Sequence, residues 1–89
     1  MRGLYARALA HYGPHAQIDQ MKEECAELIV ELSHHRRFGT AMARRAVIGE
    51  LADVQIMLAQ MRILFGEADV DEVVREKEAR LDRRMRGEA

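Results

Sequence analysis

Residues 41–65 read AMARRAVIGELADVQIMLAQMRILF, with no proline and a single interior glycine, Gly49. Apolar side chains fall on most sides of the helix this stretch predicts: Val47, Ile48, Leu51, Val54, Ile56, Met57, Leu58, Met61, Ile63, Leu64 and Phe65. A helix apolar nearly all round belongs at the centre of a bundle. Thr40 is a suitable cap before it and Gly66 a suitable stop after it.

Working outward, the residues before Gly39 form a second strong pattern. Ile18, Met21, Cys25, Leu28, Ile29 and Leu32 recur at steps of three and four, predicting a helix from Pro14 to about Arg36. Its tail, His34, His35, Arg36 and Arg37, suits the negative end of a helix dipole. Gly13-Pro14 separates it from a short helix over residues 3–12, because proline opens a helix but does not continue one. On the far side of Gly66, Asp69 and Glu72 resemble a capping box for a last helix from Val70 to about Arg86. One short and three longer helices with brief connections predict an all-α, four-helix-bundle-like subunit.

Composition sets the limits. At 89 residues, a single domain over 1–89 is expected. Aromatics make up 4% of the chain and Trp is absent, so the core must come from aliphatic residues and Met. A core that small favours a homo-oligomer, dimer or tetramer, which would bury more apolar surface. Fourteen basic residues against 15 acidic give a net charge of -1, which excludes the footprint of a duplex nucleic-acid binder. The single cysteine, Cys25, excludes an intrachain disulfide framework and fits a reducing compartment. No apolar run approaches the ~20 residues of a membrane span, and the first residues lack the pattern of a secretion signal. A cytoplasmic protein without a membrane partner is expected.

The functional signal lies in the acids. Glu50 and Asp53 stand three apart on the apolar helix, and Met57, Met61 and Leu64 continue their stripe as hydrocarbon. Acids on a buried face need an ionic partner or a cation. Glu24, Glu27 and Glu31 share one side of the preceding helix, next to Glu23. Two readings stand: arginines pair with the acids, or antiparallel neighbours bring two i, i+3 acidic pairs around a metal. Oxygen-only ligands select a hard cation: Mg²⁺, Mn²⁺ or Ca²⁺. In the last helix Lys77 interrupts the apolar stripe of Val70, Val73, Val74, Leu81 and Met85. It either snorkels to water, pairs with Glu50 or Asp53, or is aimed at a substrate phosphate.

Glu23-Glu24-Cys25-Ala26-Glu27-Leu28 and Glu50-Leu51-Ala52-Asp53, twenty-two residues on, resemble the paired E-E-x-x-E-L and E-L-x-D motifs of the MazG-like all-α nucleoside triphosphate pyrophosphohydrolases. The resemblance covers about residues 12 to 85 and takes in Gln17, Lys77 and Arg80. It implies Glu24, Glu27, Glu50 and Asp53 as Mg²⁺ ligands, Lys77 as a catalytic residue, and Glu23 either as a support behind the ligands or as a catalytic residue that orients water. It implies Lys77 and Arg80 at the phosphates, with Gln17 also on the substrate side. The implied reaction is Mg²⁺-dependent hydrolysis of a nucleoside triphosphate to the monophosphate and pyrophosphate, in a homo-oligomer. The chain is short for that family, with little left over for a base pocket; Tyr5, Tyr12 and Phe38 are the few aromatics available to stack on a base.

Two other functions fit part of the pattern. A non-catalytic helical oligomer serving as an interaction module has the same composition. A di-iron carboxylate bundle would use Glu31 and His34, an E-x-x-H pair, in two copies. His11 and His15 are also four apart, but Gly13-Pro14 between them breaks the helical spacing.

Overall fold

The computed structural model describes residues 1–87, and in them the chain is all-helical. Helix α1 spans Arg2–Tyr12, α2 Pro14–Phe38, α3 Ala41–Phe65 and α4 Glu67–Met85. The turn between α2 and α3 follows the sequence signals closely. Gly39 takes the left-handed conformation (φ 62°) and its N–H donates to His35 O at 2.8 Å, which closes α2. Thr40 Oγ1 then accepts from the Ala43 N–H at 3.0 Å and opens α3. Pro14 stands at the first position of α2, as expected.

The start of α4 differs from the expectation. It begins at Glu67, directly after Gly66, and Asp69 does not cap it. Gly66 at φ 115° makes the turn into α4 without a linker, a conformation open to glycine but not to a residue with a side chain. Glu67 and Asp69 occupy the first turn, where acids suit the positive end of the helix dipole. Two ion pairs hold the start of α4: Arg2 of α1 to Glu67 at 2.6 Å, and Arg62 of α3 to Asp71.

Helices α1, α2 and α3 pack on one another, whereas α4 packs on α3 alone and reaches α1 only through the Arg2–Glu67 ion pair. The antiparallel arrangement of four full staves is therefore not what a single chain forms. Every described residue of α4 beyond Val70 is exposed, so the stripe expected to face inward faces out. The radius of gyration is 16.1 Å, against about 12 Å for a compact chain of this length. One dimension is only 21 Å, two helix diameters at ~10–12 Å each.

Nor is α3 enclosed on all sides. Met57 is the one buried apolar residue among those described, while Ile48, Leu51, Ile56 and Leu58 are 42–51% exposed. On α2, Ile29 and Leu32 face outward with Val30, and the inner face includes Gln17, Gln20, Glu24 and Glu31. The apolar periodicity was correctly helical, but it marks an outer face as well as an inner one. One hairpin and one short helix cannot cover both sides of α3. No helix among the described residues is long and apolar enough to cross a membrane.

Candidate metal centre

The α2–α3 hairpin is antiparallel, and its seam has an ordered set of polar residues. At the end away from the turn, Gln17 Nε2 donates to Gln60 Oε1 at 2.6 Å, with both residues buried. Ten residues nearer the turn on each helix stand Glu27 and Glu50. The steps 17, 20, 24, 27, 31 on α2 and 50, 53, 57, 60, 64 on α3 alternate three and four, which keeps each set on one side of its helix.

Glu24, Glu27 and Glu50 converge. One carboxylate oxygen from each lies within 4.8 Å of the other two. Two oxygens held by one hard cation stand at most about 4–5 Å apart, given ligand distances of ~2.0–2.6 Å. The three acids meet the Ca²⁺ end of that range; Mg²⁺, at ~2.0–2.1 Å, takes oxygens no more than about 4.2 Å apart. Held as carboxylates, they leave Glu24 Oε2 and Glu50 Oε2 buried with no hydrogen-bond partner. Such orphaned acceptors are costly to a fold unless something donates to them or neutralises them. The donor set is all oxygen, so the residues fit Mg²⁺, Mn²⁺ or Ca²⁺.

Their protonation reflects the crowding. Glu50 is pushed up to about 7, first by its burial, then by hydrogen bonding with Glu24 and by the charges of Glu27, Glu24 and Asp53. Glu27 is also raised, chiefly by the Glu24 charge, then by burial and by Glu23. Without a cation, a proton on Glu50 takes over part of the neutralisation.

The other expected site residues occupy three kinds of place. Asp53 is exposed one turn along from Glu50, close enough for its charge to act there. Glu23 is exposed beside the cluster, and its charge reaches Glu27. Lys77 and Arg80 sit on the exposed part of α4 and, among the described residues, form no ion pair with the acids. The pairing of Lys77 with Glu50 or Asp53, open on sequence, is absent. Gln17 is turned into the core, with its amide donating to Gln60.

Sequence reasoning missed Gln20 and Gln60. Gln20 Nε2 donates to Glu24 Oε1 at 2.9 Å, which fixes that carboxylate while its other oxygen points into the cluster. The signal was available: Gln20 precedes Glu24 by four residues, one turn on the same face. Gln60 also donates to Ile56 O at 3.4 Å, and its place is legible only once the register of the hairpin is known. Glu31 and His34 do approach each other, at 3.8 Å, but beyond the acidic cluster toward the exposed end of α2.

No family model, no curated protein and no solved structure matches this chain.

Proposed function

We propose that the chain is a Mg²⁺-dependent nucleoside triphosphate pyrophosphohydrolase that works as a homo-oligomer. The observation that carries this reading is the meeting of Glu24, Glu27 and Glu50 with two buried, partnerless carboxylate oxygens. Buried structural acids are commonly paired with bases, and among the described residues no arginine or lysine forms an ion pair with these three. Glu24, Glu27 and Glu50 hold the cation, with Asp53 completing the set from the next turn of α3. A cation held by these residues would supply charge neutralisation at the phosphates and activation of water. Glu23, exposed at the rim, orients the water. Water adds to the α-phosphorus, the bond to the bridging oxygen breaks, pyrophosphate leaves, and the water's proton passes to solvent.

Surface area supports the assembly. The chain exposes 6968 Å², against about 5,300 Å² for a folded monomer of this mass. The excess, about 1,700 Å² per chain, is in the range of obligate oligomer interfaces. Ile29, Val30 and Leu32 on α2, Leu51 on α3 and Val73 and Val74 on α4 supply it. A second copy packed on these faces covers α3 and brings an α4 to the acids of its neighbour. Lys77 and Arg80 then meet the triphosphate from the partner's helix. In this arrangement the single protein is cytoplasmic, one domain, and has no membrane or duplex nucleic-acid partner.

The deciding experiment is product analysis on ribo- and deoxyribonucleoside triphosphates with Mg²⁺, alongside Glu50→Gln. The expected products are monophosphate and pyrophosphate, formed only with metal and intact Glu50. Sedimentation of the same sample should show a species heavier than the 10.2 kDa chain. Metal binding without turnover of any triphosphate would leave a non-catalytic oligomer.

A further inference from the structure

The hairpin has a groove of about 280 Å³ where α2 passes into α3, lined by Glu31, His34, Phe38, Thr40, Met42 and Ala46. It borders the metal centre on both helices. Glu31 follows Glu27 by four residues and Ala46 precedes Glu50 by four, so the groove begins one helical turn, about 5.4 Å, from the acids. That step is comparable to the span of a ribose between an α-phosphate and its base. Pockets for whole drug-sized ligands start at about 300 Å³; this groove suits one ring system.

Its walls are those of a base site. Phe38 is 61% exposed although it is one of few aromatics in the chain, and nothing in the core requires it. The Arg37 guanidinium lies over the Phe38 ring, 5.3 Å from its centroid, and the His34 ring is 6.3 Å away. Arg37 backs one face of the ring from outside the groove, while Phe38 itself lines the groove, where an aromatic ring can stack on a base. Glu31 adds selection, since an ionised carboxylate only accepts hydrogen bonds. Guanine presents two adjacent donors, its ring N1–H and its 2-amino group. Uracil and thymine set carbonyls on either side of their one N–H, and adenine and cytosine set a ring acceptor beside their amino group.

We infer that this groove takes the base of the nucleotide, and that Glu31 makes it a guanine site with Phe38 as its stacking platform. The inference rests on the triphosphate reading of the neighbouring acids.

The test is calorimetric titration with Ca²⁺ in place of Mg²⁺ to suppress turnover, using GTP, ITP, UTP and inorganic tripolyphosphate. GTP should bind at least about tenfold tighter than ITP, which lacks the 2-amino group, and tighter than UTP. Phe38→Ala should weaken GTP at least about tenfold and leave tripolyphosphate unchanged. Glu31→Gln should collapse the preference for GTP over ITP. Tripolyphosphate binding with no preference among nucleotides, or GTP binding indifferent to Phe38→Ala, overturns the groove and leaves the metal–phosphate reading intact. If neither tripolyphosphate nor any nucleotide binds, the triphosphate reading fails and the groove assignment fails with it.

Discussion

Gln17 and Gln60 meet at one end of the α2–α3 seam, and Glu24, Glu27 and Glu50 meet ten residues along it. Both are polar clusters in the same interface, in the same register, on the same two helices. The glutamines complete each other: one amide donates to the other at 2.6 Å, and both residues are buried. The glutamates do so only when Glu50 holds a proton; as carboxylates they have nothing to donate, and two of their oxygens are left buried without a partner. An amide pair is closed and specifies how two helices align. A carboxylate cluster is open and asks for a cation. The chemistry of the side chains, more than their burial, separates a structural polar contact from a binding site.

The sharpest way to break this comparison is to exchange the consequences. Glu50→Gln supplies a donor to the cluster and removes a ligand. Altering groups outside a metal's coordination already costs about 10–100-fold in affinity or activity. Loss of a ligand should therefore lower both Mg²⁺ affinity and turnover by more than about a hundredfold, with the fold retained. Gln17→Leu, roughly 15 Å away at 1.5 Å per residue, should leave Mg²⁺ affinity within about twofold. Mg²⁺ titration of the two variants checks both. A large loss of turnover in Gln17→Leu with its stability unchanged would return Gln17 to the substrate side.

The glutamine end has its own measure. Gln17→Leu or Gln60→Leu alone should destabilise by about 1–3 kcal/mol, because each leaves a buried amide unpaired. The double substitution should recover most of that loss, since two apolar side chains leave no orphan behind. Denaturant unfolding at one fixed protein concentration gives the cycle, the concentration mattering because assembly contributes to stability. Additive losses would mean that the amides act separately and do not align the helices.

Much of this contrast was legible in the sequence. The Gly39–Thr40 turn and the full extent of α3 followed from local chemistry: a left-handed glycine, a threonine cap, a long run without proline. Glu24, Glu27 and Glu50 followed from helical spacing and from the rarity of acids on an apolar helix. Other features depend on facts not local to any segment. Gln60 is informative only when the hairpin register sets it against Gln17. The exposure of Ile29, Leu32 and the α4 stripe depends on how many helices one chain has to cover α3, and periodicity cannot count partners. Lys77 illustrates the same gap, because its place in an apolar stripe says that something packs there without saying from which copy.

The smallest expected effect concerns protons and sharpens the difference between the two ends, since only the glutamate end titrates. Glu50 rises from an ordinary 4.5 to about 7 in the folded protein without a cation. Between those values the unfolded chain releases this proton and the folded chain retains it. Stability without metal should thus fall as pH rises from about 4.5 to 7 and be level, for this group, on either side. Mg²⁺ must displace the same proton, so its affinity should increase through that window, by at most about tenfold per pH unit, and plateau above 7. Thermal unfolding at pH 5 and pH 8, each in chelator and in saturating Mg²⁺, reads both. The rise in Tm caused by Mg²⁺ should be larger at pH 8, because the cation then neutralises charges that a proton covers at pH 5. Glu50→Gln should flatten the chelator series and remove the Mg²⁺ increment, while Gln17→Leu should lower every point and leave the pH dependence as it was. An Mg²⁺ increment equal at the two pH values would mean that Glu50 is not where the cation and the proton compete.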